Sequence, residues 1–203
     1  MTPAPIVHIV DDDDAIRRAL AMLARSAGYD ARAYASGEDA LAALTPDSAG
    51  CVVTDVRMPG MSGLELQTAL RARGVDLPVI VITGHGDVPM AVRALKQGAV
   101  DFIEKPFDDE AFLGAIAQAV AADAKAAGAR GARADVAARV AQLTLREREV
   151  MNLVVQGLSN HLAADALNIS VRTVENHRAR VMEKMGARGL SDLVRMVLKL
   201  EDA

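Results

Sequence analysis

The sequence predicts two folded parts of different class, an α/β part over residues 5–120 and an all-α part over residues 142–203. In the first part, short apolar runs of strand length alternate with segments of helical periodicity, whereas only helical patterns follow Gln142. The balance of charge changes in the same region, because residues 1–122 carry a net charge of −7 and residues 123–203 carry +3. Such a change favours two modules with different partners.

Five short apolar runs are predicted to be strands. They are strand-sized and mostly rich in β-branched residues, although the second alternates only weakly. They cover residues 6–10, 29–35, 51–54, 79–83 and 102–104. Helical patterns follow them at residues 15–27, 36–44, 64–73, 88–97 and 109–122. Near-continuous apolar strands that alternate with helices indicate a five-stranded parallel (βα)5 sheet covered on both faces.

An alanine-rich segment over residues 121–141 separates the two parts. Alanine favours helix, but Gly128 and Gly131 are expected to interrupt it, so we predict a partly helical linker. Four helices are predicted after it, at residues 146–155, 159–167, 171–185 and 191–200. Thr144 and Glu147 have the spacing of a capping box at the start of the first of these. The short turn before the third helix gives a helix-turn-helix pattern.

Composition excludes several classes of protein. No apolar run approaches the ~18 residues that a membrane helix needs, and residues 1–5 lack the pattern of a signal peptide. The single cysteine, Cys51, allows neither an internal disulfide framework nor a Cys-based zinc site. Aromatic residues make up only 2% of the chain, which argues against base-stacking platforms for single strands. We therefore expect a soluble cytoplasmic protein with no membrane partner.

Charged side chains follow three of the predicted strands. Residues 11–14 are four aspartates directly after the first strand, Asp55 ends the third strand, and Lys105 ends the fifth. Because the carboxyl ends of parallel strands meet at one edge of a sheet, these groups are expected to converge there. Clustered carboxylates repel one another, and Mg²⁺ would remove that penalty. The arrangement suits phosphoryl transfer to Asp55, with Lys105 and the Thr83 hydroxyl on the phosphoryl group.

A simpler interpretation of the four aspartates also exists. Acidic residues at a helix N-terminus stabilise the helix by a few tenths to ~1 kcal/mol. Asp13 or Asp14 is expected to have that role, whereas Asp55 and Lys105 at matching strand ends favour the functional interpretation.

Four motifs stand at expected strand ends and carry a family resemblance: HIVDDDD, VVTDVRMPGMSG, VIVITGHGDV and GAVDFIEKPF. They resemble the receiver domain of bacterial two-component response regulators, and the resemblance covers residues 6 to about 120. It implies that Asp55 is the phosphoacceptor and that Thr83 and Phe102 form the switch pair. It also implies that Pro106 follows a cis bond, which costs an X-Pro peptide little.

The same resemblance implies a Mg²⁺ site. Asp12 would be a direct ligand, with Asp11 acting nearby or through water. Asp55 and the backbone carbonyl of Arg57 would complete the protein ligands. In receivers, the positions of Arg57 and His85 also tune the lifetime of the phosphoryl group.

Residues 142–200 resemble the four-helix DNA-binding domain of LuxR/NarL type, through LTLREREVMNLVVQGLSNHLAADALNISVRTVENHRARVMEKM. Together with the receiver, the whole chain resembles FixJ-type regulators. The resemblance implies that the third helix of this domain enters the major groove of DNA.

Helical periodicity divides the surface of that third helix. Val174, Val181 and Met185 are expected to pack inward, and the exposed side is expected to carry Arg172, Glu175, Asn176, Ala179 and Arg180. By family position, base edges are faced by Glu175, Asn176 and Ala179. Phosphates are expected to be held by Arg172, Thr173, Arg178, Arg180 and Lys184. Without the resemblance, these charges would be an ordinary solvated helix face.

We therefore expect a phosphorylation-dependent transcription regulator, an activator and not an enzyme. A sensor histidine kinase would phosphorylate Asp55, and the receiver would then form a homodimer through a face that includes Val92 and Lys96. The dimer would bind double-stranded promoter DNA, with RNA polymerase as a further partner.

Three alternatives remain open at this point. A Mg²⁺-dependent phosphatase of the haloacid-dehalogenase type would need a carboxylate two residues after Asp55, where this chain has Arg57. A ligand-gated DNA binder of the quorum-sensing type would need a large apolar pocket in the first domain. A receiver could also serve only for protein docking, with a helical part that binds protein.

Overall fold

The computed structural model describes residues 4–84 and 88–201. His85, and with it the prediction about its position, lies outside the described residues. The chain divides into two compact units, the first ending at Ala126 and the second beginning at Ala127. Within the described ranges, no helix combines the length and the apolar character that a membrane crossing requires.

The first unit contains a five-stranded sheet with the strand order β2-β1-β3-β4-β5. All neighbouring strands are parallel, so the predicted fold class is confirmed. The strands are β1 Ile6–Val10, β2 Asp30–Tyr34, β3 Cys51–Asp55, β4 Val79–Thr83 and β5 Asp101–Glu104. The helices are α1 Asp14–Ser26, α2 Gly37–Ala43, α3 Gly63–Ala72, α4 Val88–Lys96 and α5 Asp109–Ala141.

Side chains alternate along the central strands and enter two apolar layers. Val10, Val52 and Val81 pack in one layer with buried residues of α2, α3 and α4. Ile9 and Val53 pack on the opposite face of the sheet with buried residues of α1 and α5. Burial of both faces leaves the strand ends as the places where polar side chains gather.

Side-chain caps determine where the helices next to the sheet edge begin. Asp13 is the N-cap of α1, where its Oδ1 accepts the backbone N–H of Ala15 at 2.8 Å. Ser62 and Glu65 form a reciprocal capping box at the start of α3. One of the four aspartates after β1 therefore has the structural role that the simpler interpretation assigned to it.

Helix α5 corrects the prediction for the linker. It is continuous from Asp109 to Ala141, and Gly128 and Gly131 do not interrupt it. A glycine inside a helix costs only ~1 kcal/mol relative to alanine, and the surrounding alanines are the strongest helix formers. The division between the two units falls within this helix, so the segment over residues 121–141 is helical throughout.

The second unit is helical, as predicted. After the end of α5 it contains α6 Leu145–Val155, α7 Asn160–Leu167, α8 Val171–Met185 and α9 Leu190–Glu201. The capping box of Thr144 and Glu147 is present at the start of α6. Asn168 ends α7 with φ 55, a left-handed conformation that allows the short turn into α8. One apolar cluster joins all four helices to Val136 of α5.

The continuity of α5 can be tested at its two glycines. A Cβ at Gly128 or Gly131 would meet nothing within 4 Å. We expect Gly128→Ala with Gly131→Ala to stabilise the helix by roughly 0.5–1 kcal/mol per substitution. Amide hydrogen exchange over residues 125–135 should then slow by about two- to fivefold per substitution.

The matched control is Gly157→Ala. Gly157 also has open space around it, but its φ is +90, so a side chain there is strained. This variant should be destabilised. Faster exchange around the two helical glycines after their replacement would contradict a continuous helix.

Candidate functional site

Two carboxylates and one ammonium meet at the carboxyl end of the sheet. Lys105 Nζ donates to Asp11 Oδ2 at 2.9 Å and to Asp55 Oδ1 at 2.8 Å. The side chains of Asp11 and Asp55 are only 4% and 12% exposed. Asp11 directly follows β1, Asp55 ends β3, and Lys105 directly follows β5, so the parallel arrangement of the strands brings the three together.

The loop after Asp55 is held close to that residue. The backbone N–H of Arg57 donates to Asp55 Oδ2 at 2.7 Å, so both carboxylate oxygens are engaged. The N–H of Gly63 donates to the carbonyl of Val56 at 3.1 Å and closes the loop. A Cβ at Gly63 would lie 2.3 Å from the Asp55 carbonyl oxygen, so only glycine fits here. The backbone of Arg57 is therefore fixed beside the carboxylate.

Asp12 does not join the carboxylate pair. It is exposed, whereas Asp11 is buried with Oδ1 accepting the N–H of Asp13 at 2.8 Å. Within residues 4–84 and 88–201, no three acidic, histidine or cysteine side chains are grouped closely enough to hold a metal ion. The structure therefore brings Asp11 and Asp55 together around one ammonium and leaves Asp12 exposed on the loop after β1, so the role of Asp12 stays a prediction.

The ammonium of Lys105 is held firmly in its charged form. Partial burial by itself would lower the pKa of Lys105. The hydrogen bonds to Asp55 and Asp11, together with the charges of the two carboxylates, outweigh burial and raise that pKa above its usual value. The edge of the sheet therefore keeps a permanent positive charge next to Asp55.

A cavity of about 300 Å³ opens beside the pair. It is lined by Ile16, Asp55, Arg57, Thr83, Gly84 and Lys105. Thr83 is 2% exposed at the end of β4, and its carbonyl accepts the N–H of Lys105 at 2.7 Å. The Lys105–Pro106 peptide bond is cis, as expected. The cavity thus combines a carboxylate, an ammonium and a hydroxyl.

Phe102 lies apart from this cavity lining. It is half-buried on β5 and packs against the apolar layer on the α4 side of the sheet. Val92 and Lys96 are both exposed on α4. Sequence reasoning missed one exposed apolar neighbour, Leu95, which is 49% exposed and lies three residues after Val92 on the same face of α4.

The surface of α8 agrees with its predicted division. Val174, Val181 and Met185 are buried, and the exposed residues include Arg172, Glu175, Asn176, Ala179 and Arg180. Thr173 and Arg178 are half-buried. Arg178 Nη1 donates to Asn160 Oδ1 of α7 at 2.9 Å, which ties its guanidinium to the neighbouring helix.

Comparison with known proteins assigns each of the two units to a known family. Residues 7–117 match the family described as response regulator receiver domain, and residues 141–197 match the family of bacterial regulatory proteins, luxR family. The chain is 51% identical over 95% of its length to the transcriptional regulatory protein FixJ of Azorhizobium caulinodans, covering 91% of that protein.

Two further proteins resemble the whole chain. The C4-dicarboxylate transport transcriptional regulatory protein DctR of Rhodobacter capsulatus is 50% identical, with 94% of this chain and 98% of that protein covered. The solved structure of the response regulator StyR is 41% identical, with a TM-score of 0.86 over 97% of this chain and 100% of that one.

The chain is a two-component response regulator. Matches to both domain families, and relatives that share the full length, confirm the predicted FixJ-type organisation of a receiver followed by a LuxR-type DNA-binding domain. The family regulates transcription by binding DNA. In this regulator the Asp11–Lys105–Asp55 group lies in the receiver, and α8 lies in the DNA-binding domain.

One basic residue of α8 in the regulator, Lys184, is engaged by contacts within the DNA-binding unit. Lys184 Nζ donates to Glu147 Oε2 at 2.6 Å and to the Gln142 carbonyl at 3.3 Å. The Glu147 side chain is 2% exposed, and turning the lysine towards DNA would leave that buried carboxylate without its cation. This pairing gives Lys184 a structural role between α6 and α8, and its predicted phosphate contact stays a prediction.

Sequence reasoning found half of this pair. The capping box indicated Glu147, but its lysine is 37 residues away and only the packing of α8 on α6 brings it close. Hydrogen bonds from Lys184 and from the capping residue Thr144 lower the pKa of Glu147 from 4.5 to about 2. The carboxylate is therefore ionised over the whole physiological range.

We expect Glu147→Gln to destabilise the second unit at neutral pH. Glutamine keeps the capping box but cannot form the ion pair with Lys184. Because the folded pKa is depressed, the ionised carboxylate stabilises the fold fully above pH 4.5 and loses its contribution as the pH falls towards 2. The difference between variant and wild type should shrink over that interval. This difference in the free energy of unfolding is measured at each pH by urea unfolding, with hydrogen exchange of α6 and α8 as the probe.

The matched control is Glu65→Gln, which changes the equivalent residue of the α3 capping box. The carboxylate of Glu65 is exposed, and it accepts hydrogen bonds from the backbone N–H and the hydroxyl of Ser62. Glu65→Gln should therefore lower the free energy of unfolding by less than Glu147→Gln does. If Glu147→Gln destabilises the regulator equally at neutral and acidic pH, the charge on Glu147 is not the cause.

Proposed function

We propose that Asp55 accepts a phosphoryl group from a histidine kinase and that this modification controls a transcription activator. The observation that supports the proposal is the pairing of Asp55 and Asp11 with the single ammonium of Lys105 at the edge of the sheet. The family implies a histidine kinase and DNA as partners. Because promoter DNA is its target, we place the regulator in the cytoplasm.

The chemistry requires an oxygen nucleophile with nearby positive charge. A carboxylate oxygen of Asp55 attacks the phosphorus of the phosphohistidine. The phosphorus–nitrogen bond breaks, its electron pair returns to the imidazole of the kinase, and an acyl phosphate remains on Asp55. Lys105, which now bonds to Asp55 Oδ1 at 2.8 Å, then pairs with a phosphoryl oxygen. Thr83 donates its hydroxyl from the same cavity.

The oxygen atoms at this edge fit Mg²⁺. Carboxylates and a backbone carbonyl are hard ligands of the kind that Mg²⁺ prefers. Asp11 and Asp55 both lie within hydrogen-bonding distance of one nitrogen, so they are close enough to share a cation. The carbonyl of Arg57 would supply a further oxygen, and Asp12, which is exposed and outside this pair, would join the site by turning towards the cation. When bound, Mg²⁺ neutralises negative charge on the transferred phosphoryl group.

Two residues connect the cavity to the surface of the receiver. Thr83 ends β4 in the cavity, and Phe102 lies on the adjoining strand β5, half-buried against the layer that includes α4. A shift of Thr83 towards the phosphoryl group gives Phe102 room to turn inward. The equilibrium between two arrangements of this face is then biased by one local charge.

The face that changes also carries the residues for pairing. Val92 and Leu95 are 44% and 49% exposed on α4, and Lys96 is exposed beside them. Exposed apolar groups with a charged neighbour suit burial against a second copy of the receiver. We propose that phosphorylation favours a homodimer through this face.

The DNA-binding domain is proposed to contact promoter DNA through α8. Glu175, Asn176 and Ala179 are exposed on one side of the helix, and glutamate can accept from cytosine while asparagine can pair with adenine. Arg172 and Arg180 flank them and are placed to hold phosphates, with Thr173 and Arg178 nearer the body of the domain. Bound in this way, the dimer would recruit RNA polymerase as an activator.

We expect Asp55→Asn to abolish acyl-phosphate formation, because an amide cannot act as the nucleophile. Intact-mass spectrometry after incubation with a phosphorylated kinase or a small phosphoryl donor measures the modification. The control is Asp14→Asn, which changes an exposed carboxylate that pairs with Arg17 and Arg18 on α1. That variant should be phosphorylated like the wild type. Undiminished phosphate on Asp55→Asn would refute the assignment.

We expect Asn176→Ala to relax base preference at one position of the binding site. A good bidentate contact discriminates against the wrong base by ~1–3 kcal/mol. Selection of bound sequences from a random DNA pool compares the variant with the wild type. Glu183→Ala, an exposed change near the end of the same helix, is the control and should keep the motif. An unchanged motif for Asn176→Ala counts against base contact by this residue.

A further inference from the structure

The cations of the DNA-binding unit are not concentrated on α8. Arg178 and Lys184 are engaged by hydrogen bonds within the unit. The exposed face keeps Arg172 and Arg180 but also carries Glu175. Phosphate neutralisation supplies essentially all non-specific affinity for DNA. Helix α8 therefore brings only part of the positive charge that such affinity needs.

A cleft between the last part of α5 and α9 gathers more positive charge. It consists of two adjoining cavities of about 740 and 370 Å³, both lined by Ala132 and Lys199. We name it the α5–α9 cleft. Its cationic lining residues are Arg130, Arg133, Arg139, Arg188, Arg195 and Lys199. The carboxylates of the described residues that line it are those of Asp135 and Asp192.

Contacts within the unit hold part of this surface in place. Arg139 pairs with Asp135 at 2.9 Å and donates to the carbonyl of Met185, the last residue of α8, at 2.7 Å. Arg133 donates to the carbonyl of Leu200 on α9 at 2.9 Å. These bonds join α5 to the ends of α8 and α9, so the cleft is a fixed feature of the unit.

The cleft lies beside the helix that we propose contacts bases. Gly186, which directly follows α8, lines it. Arg195 and Lys199 are exposed and four residues apart, which puts them on the same face of α9. A duplex that receives α8 in its major groove presents rows of phosphates on both sides of that groove. A basic surface at the end of the helix is suited to such a row.

We infer that the α5–α9 cleft binds the phosphate backbone of double-stranded DNA outside the bases contacted by α8. The inference rests on the proposed insertion of α8 into DNA and adds a second contact, which is independent of sequence. In this arrangement α8 supplies base preference and the cleft supplies salt-dependent affinity.

Charge and lining chemistry favour DNA over a protein as the occupant. Energetic centres of protein interfaces are enriched in aromatic side chains and exclude water. The described residues that line the cleft include no aromatic group, and the side chains around it are mostly charged or small. A polyanion with regularly spaced charges matches that chemistry better.

The test compares the full-length wild type with the double variant Arg195→Gln and Lys199→Gln. Affinity for a duplex selected by the wild type and for a scrambled duplex is measured by fluorescence anisotropy over a series of KCl concentrations. Each lost phosphate contact should reduce the slope of log K against log salt by about 0.9, so by ~1.8 per bound protomer for the double variant. The reduction should be equal on both duplexes.

Two matched variants control for net charge and folding. The pair Arg195→Lys and Lys199→Arg conserves charge and should keep the wild-type slope. The pair Arg18→Gln and Arg146→Gln removes two exposed cations that pair with Asp14 and Glu149 outside the cleft, and it should also keep the slope. Circular dichroism verifies that all variants are folded.

The inference is overturned if the slope of the cleft variant equals that of the second control pair. It is also overturned if the cleft variant changes only self-association, or only transcription with RNA polymerase, because the occupant is then a second copy or an acidic protein. Failure of the proposed base contacts has a different signature: the wild type selects no motif, while the loss of slope on the scrambled duplex remains measurable.

Discussion

The receiver depends on one electrostatic constraint, which is the sharing of a single ammonium by a buried carboxylate, Asp11, and a partly buried one, Asp55. Lys105 balances only part of the charge of Asp11 and Asp55, so the edge of the sheet keeps an excess of negative charge in a poorly hydrated place. Because few water molecules screen these three side chains, their electrostatic energy changes strongly when a further charge is added. The parallel sheet supplies the geometry, since the ends of β1, β3 and β5 place the three residues without help from a flexible loop.

The DNA-binding unit contains a second buried charge pair with a different consequence. Glu147 caps α6 and also binds Lys184 of α8, so one carboxylate fixes both the start of a helix and the packing of its neighbour. If Lys184 moved away, the buried carboxylate of Glu147 would have no cation beside it, which is strongly destabilising. The lysine is therefore held in place by the stability of the fold. The charge of Lys184 is thereby engaged within the unit. The positive charge of the α5–α9 cleft lies outside α8, on α5, on α9 and on the turn before α9, so the pairing with Glu147 does not engage it.

The local pattern of the sequence predicted most elements, because each depends on interactions a few residues apart. Helix α8 has the predicted ends since Ser170 caps it and Gly186 terminates it in a left-handed conformation. The continuity of α5 was predicted wrongly. Two glycines signal a break when weighed alone, but their cost is modest within a long run of alanines, and Val136 gains burial in the second unit.

By itself the sequence determined the order of strands and helices, the strand-end positions of Asp55 and Lys105, and the inward and outward sides of α8, because periodicity and capping are local properties. Only the tertiary structure decided which charges neutralise one another. It left Asp12 in solvent while Asp11 became buried, and it gave Lys184 to Glu147 across 37 residues of sequence. The physical reason is that the free energy of a charge depends on its burial and on the partners within a few ångströms, and both arise only when distant segments pack.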